Sequence, residues 1–200
     1  MVVALALQDT LNNFFSGVYI FLDKPIQIGD YIQLESGQEG HVTHIGWRST
    51  RIQLLPNNIL IIPNAKLADS RVINFYLPEQ EMSVLVKVGV SYESDLEKVE
   101  KVTMEVAEQV LQETEGGVKG FQPYIRYNTF GEYSIDFTVF LRTTEYTNKY
   151  LITHEFIKRL HRRYKLEGIE IPFPIRTVYM KDGGARSEIV RPPSHGEQRD

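Results

Sequence analysis

Residues 30–64 read "DYIQLESGQEGHVTHIGWRSTRIQLLPNNILIIPN", and their period-two alternation of apolar and polar side chains decides the fold of this half of the chain. The stretch divides into strand-like pieces at 30–34, 40–47, 50–54 and 59–62. Gly29-Asp30, Ser36-Gly37 and Pro56-Asn57-Asn58 separate them with turn chemistry. Gly40 marks a bend, because strongly curved strands of small barrels use glycine at corners. "SRVINF" at 70–75 supplies a fifth strand after a brief turn over 63–69. Short strands with close turns predict a small closed barrel. The piece "ILII" at 59–62 is apolar on both faces, so it calls for cover on both.

Upstream, the period changes. In "MVVALALQDTLNNFFSGVYIFLDKP" (1–25), Leu7, Leu11, Phe14, Phe15, Val18 and Leu22 fall on one helical face. Pro25 ends the helix, and Lys24 places a cation at its C-terminus. The segment lacks a basic start and carries Asp9, which argues against a targeting peptide. Gln8, Asp9, Thr10, Asn12 and Asn13 interrupt the ~20 apolar residues that a bilayer span requires. Two readings stay open on pattern alone: a surface helix of a globular domain, or an interfacial or pore-lining helix.

Downstream, "MSVLVKVGVSY" (82–92) alternates as a strand, and Leu96, Val99, Val102, Val106 and Val110 mark a helix. "PYIRYNTF" and "YSIDFTVFLRT" are strands joined at Gly131, Ile152, Phe156, Leu160 and Tyr164 mark a second helix, and "IRTVYM" (175–180) is a last strand. This β-α-β-β-α-β order is that of a ferredoxin-like sandwich, and the class is α+β. Residues 181–200, with Gly183-Gly184 and Pro192-Pro193, read as a flexible polar tail.

Composition narrows the chemistry. The chain has 200 residues, 42% hydrophobic, enough for a real core. A net charge of −4 and a pI near 5.8 argue against nucleic acid as a partner. Without cysteine, disulfides, thiol catalysis and Cys-ligated metals are excluded. "HEFIKRLH" opens like a zinc-protease helix, but Lys158 stands where the second histidine is needed. His41 and His44, three apart in a strand, are expected on opposite faces. No nucleophile elbow, P-loop or dinucleotide fingerprint occurs, and "YSIDFTVF" lacks the basic start of an RNA-binding strand. The expectation is a protein that is not an enzyme, with no cofactor and no metal.

The helix ending in Lys24-Pro25, then Gly29-Asp30, Gly40 and Pro63-Asn64 in this order, then a ferredoxin-like domain, resembles the small-conductance mechanosensitive channel (MscS) family from about Val3 to Met180. The resemblance implies residues 1–24 as the second half of a pore-lining helix, 25–78 as an Sm-like β domain and 79–175 as the α/β domain. Residues 176–180 become an assembly strand and 181–200 the tail. It further implies membrane helices ahead of Met1, so that the chain is a cytoplasmic part of a longer channel at the cell (inner) membrane. That channel releases ions and small osmolytes on hypo-osmotic shock. The implied partners are other copies of the chain in a heptamer, membrane lipid and permeating ions. A neighbouring subunit or the helix above would then cover the second face of "ILII". A soluble Sm-like and ferredoxin-like module binding RNA or a small ligand shares most of the pattern, and salt-dependent RNA binding would mark it.

The resemblance also assigns roles to residues. Leu5 falls on a position that forms an apolar pore seal. Asp9 falls where the family has glycine at a helix bend, so the bend rests on Asn12 and Asn13 or lies elsewhere. Phe14 and Phe15 are expected to face lipid or membrane helices. Asn12 and Asn13 are expected to reach the β domain, with Asn57 in the Pro56-Asn57-Asn58 turn as polar partner. Pro172 and Pro174 lead the chain out of the sandwich in extended form. Thr177, Val178 and Tyr179 then lie on a strand of an intersubunit barrel, with Thr177 and Tyr179 on one side of it.

Overall fold

A computed structural model describes the backbone of residues 2–174 and the side chains of residues 7–174. The expected strand at 176–180 and the tail at 181–200 lie outside the described residues, as does the side chain of Leu5. Helix α1 (Val2–Asp23) runs unbroken through Asp9, Asn12 and Asn13. It stops where proline dictates: Lys24 turns into the left-handed region at φ 53°, and its N–H bonds back to the Ile20 carbonyl at 3.1 Å.

Strands β1 (Tyr31–Leu34), β2 (Glu39–Ile45), β3 (Ser49–Leu54) and β4 (Ile59–Pro63) follow within two residues of the expected bounds. The segment expected as a brief turn over 63–69 is instead helix α2 (Asn64–Asp69), which leads into β5 (Val72–Asn74). Ala65, Lys66, Leu67 and Ala68 are good helix formers, and burying Leu67 anchors this short element. The antiparallel order is β4-β3-β2-β1-β5, with β4 and β5 at the two ends. Ile20, Ile26, Ile32, Leu34, Val42, Ile52, Ile62 and Leu67 form the core of this β domain.

Gly40 is needed for space: a Cβ there would lie 2.2 Å from the Gln53 carbonyl oxygen on β3. A bulge between Val42 and His44 breaks the alternation, so the expected opposite placement of His41 and His44 does not follow from their spacing. His41 packs edge-on to Tyr31, whereas His44 is exposed. On β4 only Ile62 is buried; Ile59 and Ile61 are 50% and 60% exposed, so the second face of "ILII" has no cover among the described residues of one chain.

Strand β6 (Met82–Val90), helix α3 (Leu96–Glu113), strands β7 (Tyr124–Phe130) and β8 (Ile135–Thr143) and helix α4 (Lys149–Glu167) build the α/β domain. The described strands pair antiparallel in the order β6-β8-β7, which is the ferredoxin-like arrangement of the first three strands. Val99, Val102, Val106 and Val110 of α3 and Ile152, Phe156, Leu160 and Tyr164 of α4 share one core with Val84, Val86, Phe137, Val139 and Leu141 of the sheet. Asp95 caps α3 by accepting from the N–H groups of Glu97 and Lys98. Gly168, at φ 69°, ends α4 and lets the Ile169 N–H reach the Tyr164 carbonyl at 2.9 Å.

Candidate functional site

The junction of α1 with the β domain is built on Asn64. Pro63 ends β4 and delivers Asn64 to a fully buried position at the start of α2. Its N–H donates to the Arg48 carbonyl at 3.0 Å, its Nδ2 donates to the Gly46 carbonyl at 2.8 Å, and its Oδ1 accepts from the Thr50 hydroxyl at 2.9 Å. A buried amide satisfied in this way ties the β2–β3 corner to α2 and holds both as a rigid seat.

Helix α1 occupies that seat through a narrow stripe. Asn13 Oδ1 accepts from the Ala65 N–H at 3.0 Å, satisfying a donor that the first turn of α2 leaves free, while Asn13 Nδ2 donates to the Asp9 carbonyl at 2.8 Å. One turn on, Gly17 is buried, and a Cβ there would stand 2.6 Å from Asn64 Nδ2 and 3.1 Å from the Trp47 carbonyl oxygen. After another turn Ile20, 1% exposed, inserts into the β core. Asn13, Gly17 and Ile20 thus form the docked face, and it is not the apolar one.

The apolar face points away. Leu7, Leu11, Phe14, Phe15, Val18 and Leu22, which the sequence puts on one side, are all exposed, with Phe15 at 64% and Leu22 at 72%. Phe14, Val18, Phe21 and Leu22 form a cleft of about 250 Å³ with Ile45 and Trp47. No helix among the described residues is long and apolar enough to cross a membrane.

Of the residues singled out in the sequence, Asn13 reaches the β domain, but through Ala65 and not through the Pro56-Asn57-Asn58 turn. Asn57, at φ 67°, instead accepts from Gln53 Nε2 at 2.7 Å within its own hairpin. Asp9 and Asn12 are exposed, as are Phe14 and Phe15. Leu5, Thr177, Val178 and Tyr179 have no described side chains. The docking roles of Gly17, Asn64 and Ala65 escape a reading of periodicity. The signals were a glycine inside a helical pattern and a Pro-Asn pair at the end of an apolar strand. Among the described residues no group of three His, Asp or Glu side chains is placed to hold a metal.

Residues 9–76 match the family described as "Mechanosensitive ion channel, beta-domain", and residues 84–171 match "Mechanosensitive ion channel MscS, C-terminal". The small-conductance mechanosensitive channel MscMJ of Methanocaldococcus jannaschii is 31% identical over 185 residues, covering 90% of this chain and 51% of that protein. The low conductance mechanosensitive channel YnaI of Escherichia coli is 28% identical over 201 residues, covering 98% of this chain and 55% of that protein. The crystal structure of Helicobacter pylori MscS in a closed state superposes with a TM-score of 0.75 at 26% identity, covering 90% of this chain and 69% of that one. The chain spans about half the length of the curated relatives it matches. With both sheets matched in chain order, and α1 seated on the first of them as the family's β-domain match from residue 9 includes, the chain belongs to the MscS family of mechanosensitive ion channels.

Proposed function

We propose that this chain forms the pore-helix end and the cytoplasmic portion of a membrane-tension-gated ion channel that releases ions and small osmolytes on hypo-osmotic shock. One observation carries the reading: α1 is fastened to the β domain by Asn13, Gly17 and Ile20, while Leu7, Leu11, Phe14, Phe15, Val18 and Leu22 on its other side stay bare. A helix so divided transmits force. Its polar and small stripe holds it to a folded body, and its apolar face meets lipid or further helices, where burying each large side chain is worth about 1.5–3 kcal/mol.

Assembly as a homoheptamer is part of the proposal. The exposed Ile59 and Ile61 of β4 support contact between copies, since leaving apolar surface wet costs ~25 cal/mol per Å². Leu5 is assigned the pore seal, the strand at 176–180 the closure of the assembly, and the cytoplasmic side of the cell membrane the location of this portion. Patch recording of the complete gene product in liposomes tests the reading. Suction should open a conductance, and Leu5→Ser should lower the pressure needed. Asn13→Ala should change closing or inactivation kinetics without unfolding the β domain. Absence of any suction-activated current would overturn the channel reading, and recovery kinetics identical to the parent's would remove Asn13 from the coupling.

A further inference from the structure

The two domains have separate cores, and no helix or strand of one packs broadly on the other among the described residues. Side chains make the junction. Tyr31 and Tyr146 are buried yet belong to neither core: their rings stack at 4.6 Å, and Phe75 lies 4.0 Å from Tyr146. At the centre is Glu39 of β2. Its Oε2 accepts from the Tyr146 hydroxyl at 2.7 Å, and its Oε1 accepts from Tyr150 at 3.1 Å and, more weakly, from Tyr31 at 3.4 Å. Lys149 Nζ sits 3.4 Å from the Tyr146 ring centroid and 4.9 Å from that of Tyr150. On the connecting segment, the Tyr76 hydroxyl donates to Glu145 at 3.0 Å.

Stacked rings alone can slide over one another, because aromatic contacts are tolerant of offset. A carboxylate is stricter. Tyr146, in the short 3-10 helix Tyr146–Asn148 that leads into α4, and Tyr150, in the first turn of α4, lie four residues apart, so bonds from both to the two oxygens of Glu39 fix the start of α4 in angle as well as in distance. Burial first and the Glu39 charge second push the Tyr31 and Tyr150 hydroxyls above their ordinary range.

We propose that Glu39 is a latch: with Tyr146 and Tyr150 it fixes the orientation of the α/β domain on the β domain, so that the α/β domain and α1 move as one body. The second half rests on the channel reading above, in which Glu39 is a positioning residue for gating; the first half does not.

Since the chain has no cysteine, nitroxide labels can be placed cleanly through Asn58→Cys in the β domain and His161→Cys on α4, both exposed positions. Pulsed electron resonance on the full chain then reads the distance between the domains. The parent should give one narrow distance. Glu39→Ala, and independently Tyr146→Phe with Tyr150→Phe, should add a second population, raising the unlatched fraction about tenfold or more, as loss of a charge-assisted hydrogen bond implies. Glu39→Gln, which keeps one acceptor oxygen, should fall between. If Glu39→Ala fails to fold, the paired Tyr→Phe variant retains the rings and decides the matter. An unchanged distance distribution in the variants overturns the latch. In patches of the complete gene product, the latch variants should alter recovery after a pressure pulse severalfold. A broadened distance distribution with parental recovery would overturn the transmission to α1, whereas a parent without tension-gated current would overturn the channel reading and leave the distance result to judge the latch.

Discussion

Asn64 holds the Gly46 carbonyl and the Thr50 hydroxyl with a single buried amide, so its loss is felt at both. Asn64→Ala leaves the buried Thr50 hydroxyl and the half-buried Gly46 carbonyl without their partner, and should destabilise the β domain by about 2–4 kcal/mol. Urea denaturation followed through the lone Trp47 would check this, and parental stability would show that other groups take over. Gly17 is the complementary case. In an isolated helix Gly→Ala stabilises by about 0.5–1 kcal/mol, but here the new methyl would stand 2.6 Å from Asn64 Nδ2. Gly17→Ala should therefore lower the melting temperature; a raised one would mean that α1 is not seated on Asn64. The in-helix glycine and the Pro-Asn pair mark these positions in the sequence but not their contacts, because each contact depends on an atom that lies far along the chain.

In helix α1 the sequence marks the element but not the face that docks. The apolar stripe from Leu7 to Leu22 predicts a helix, and a helix forms. In a globular domain that stripe would face the core, yet here it is the exposed side, since docking relies on hydrogen bonding and close backbone approach. Helix α2 escaped notice for a different reason: six residues span less than two turns and show no period. Helix α3 is the opposite case. Its valines at spacings of three and four mark its face in the sequence, and the structure adds the Asp95 cap at its start. Asp95→Ala should cost about 1 kcal/mol, measured by thermal unfolding of the α/β domain, because the Glu97 and Lys98 N–H groups lose their acceptor.

Among the described residues the molecule has two cores joined by an aromatic and carboxylate junction, and buried phenols mark both the junction and the α/β core. Burial raises the Tyr76, Tyr127 and Tyr164 hydroxyls from 10.0 to about 12. Their folded-state values lie above the unfolded one, so their contribution to stability is complete below pH 10 and is lost as pH rises towards 12. The melting temperature should thus fall across that window. Tyr164→Phe should flatten the fall; an equal slope in the variant would show that Tyr164 is not a source of it. Arg142 adds a tether by reaching Glu79 at 3.2 Å and Glu81 at 3.6 Å on the segment between the domains.

By itself the sequence determined the α+β class, the strand bounds to within a few residues, the β-α-β-β-α order of the second domain and the amphipathic first helix. These follow from local period, turn residues and caps, which are written in neighbouring positions. Only the tertiary structure decided which face of α1 is docked, that Asn13 meets Ala65 and not Asn57, and that Ile59 and Ile61 stay exposed on β4. The same holds for Glu39, where Tyr146 and Tyr150 meet it. Contacts of this kind join residues from 50 to more than 100 positions apart. Nothing periodic in the chain records them, because they are fixed only when separately folded elements stack and each buried donor must find the acceptor that happens to lie opposite it.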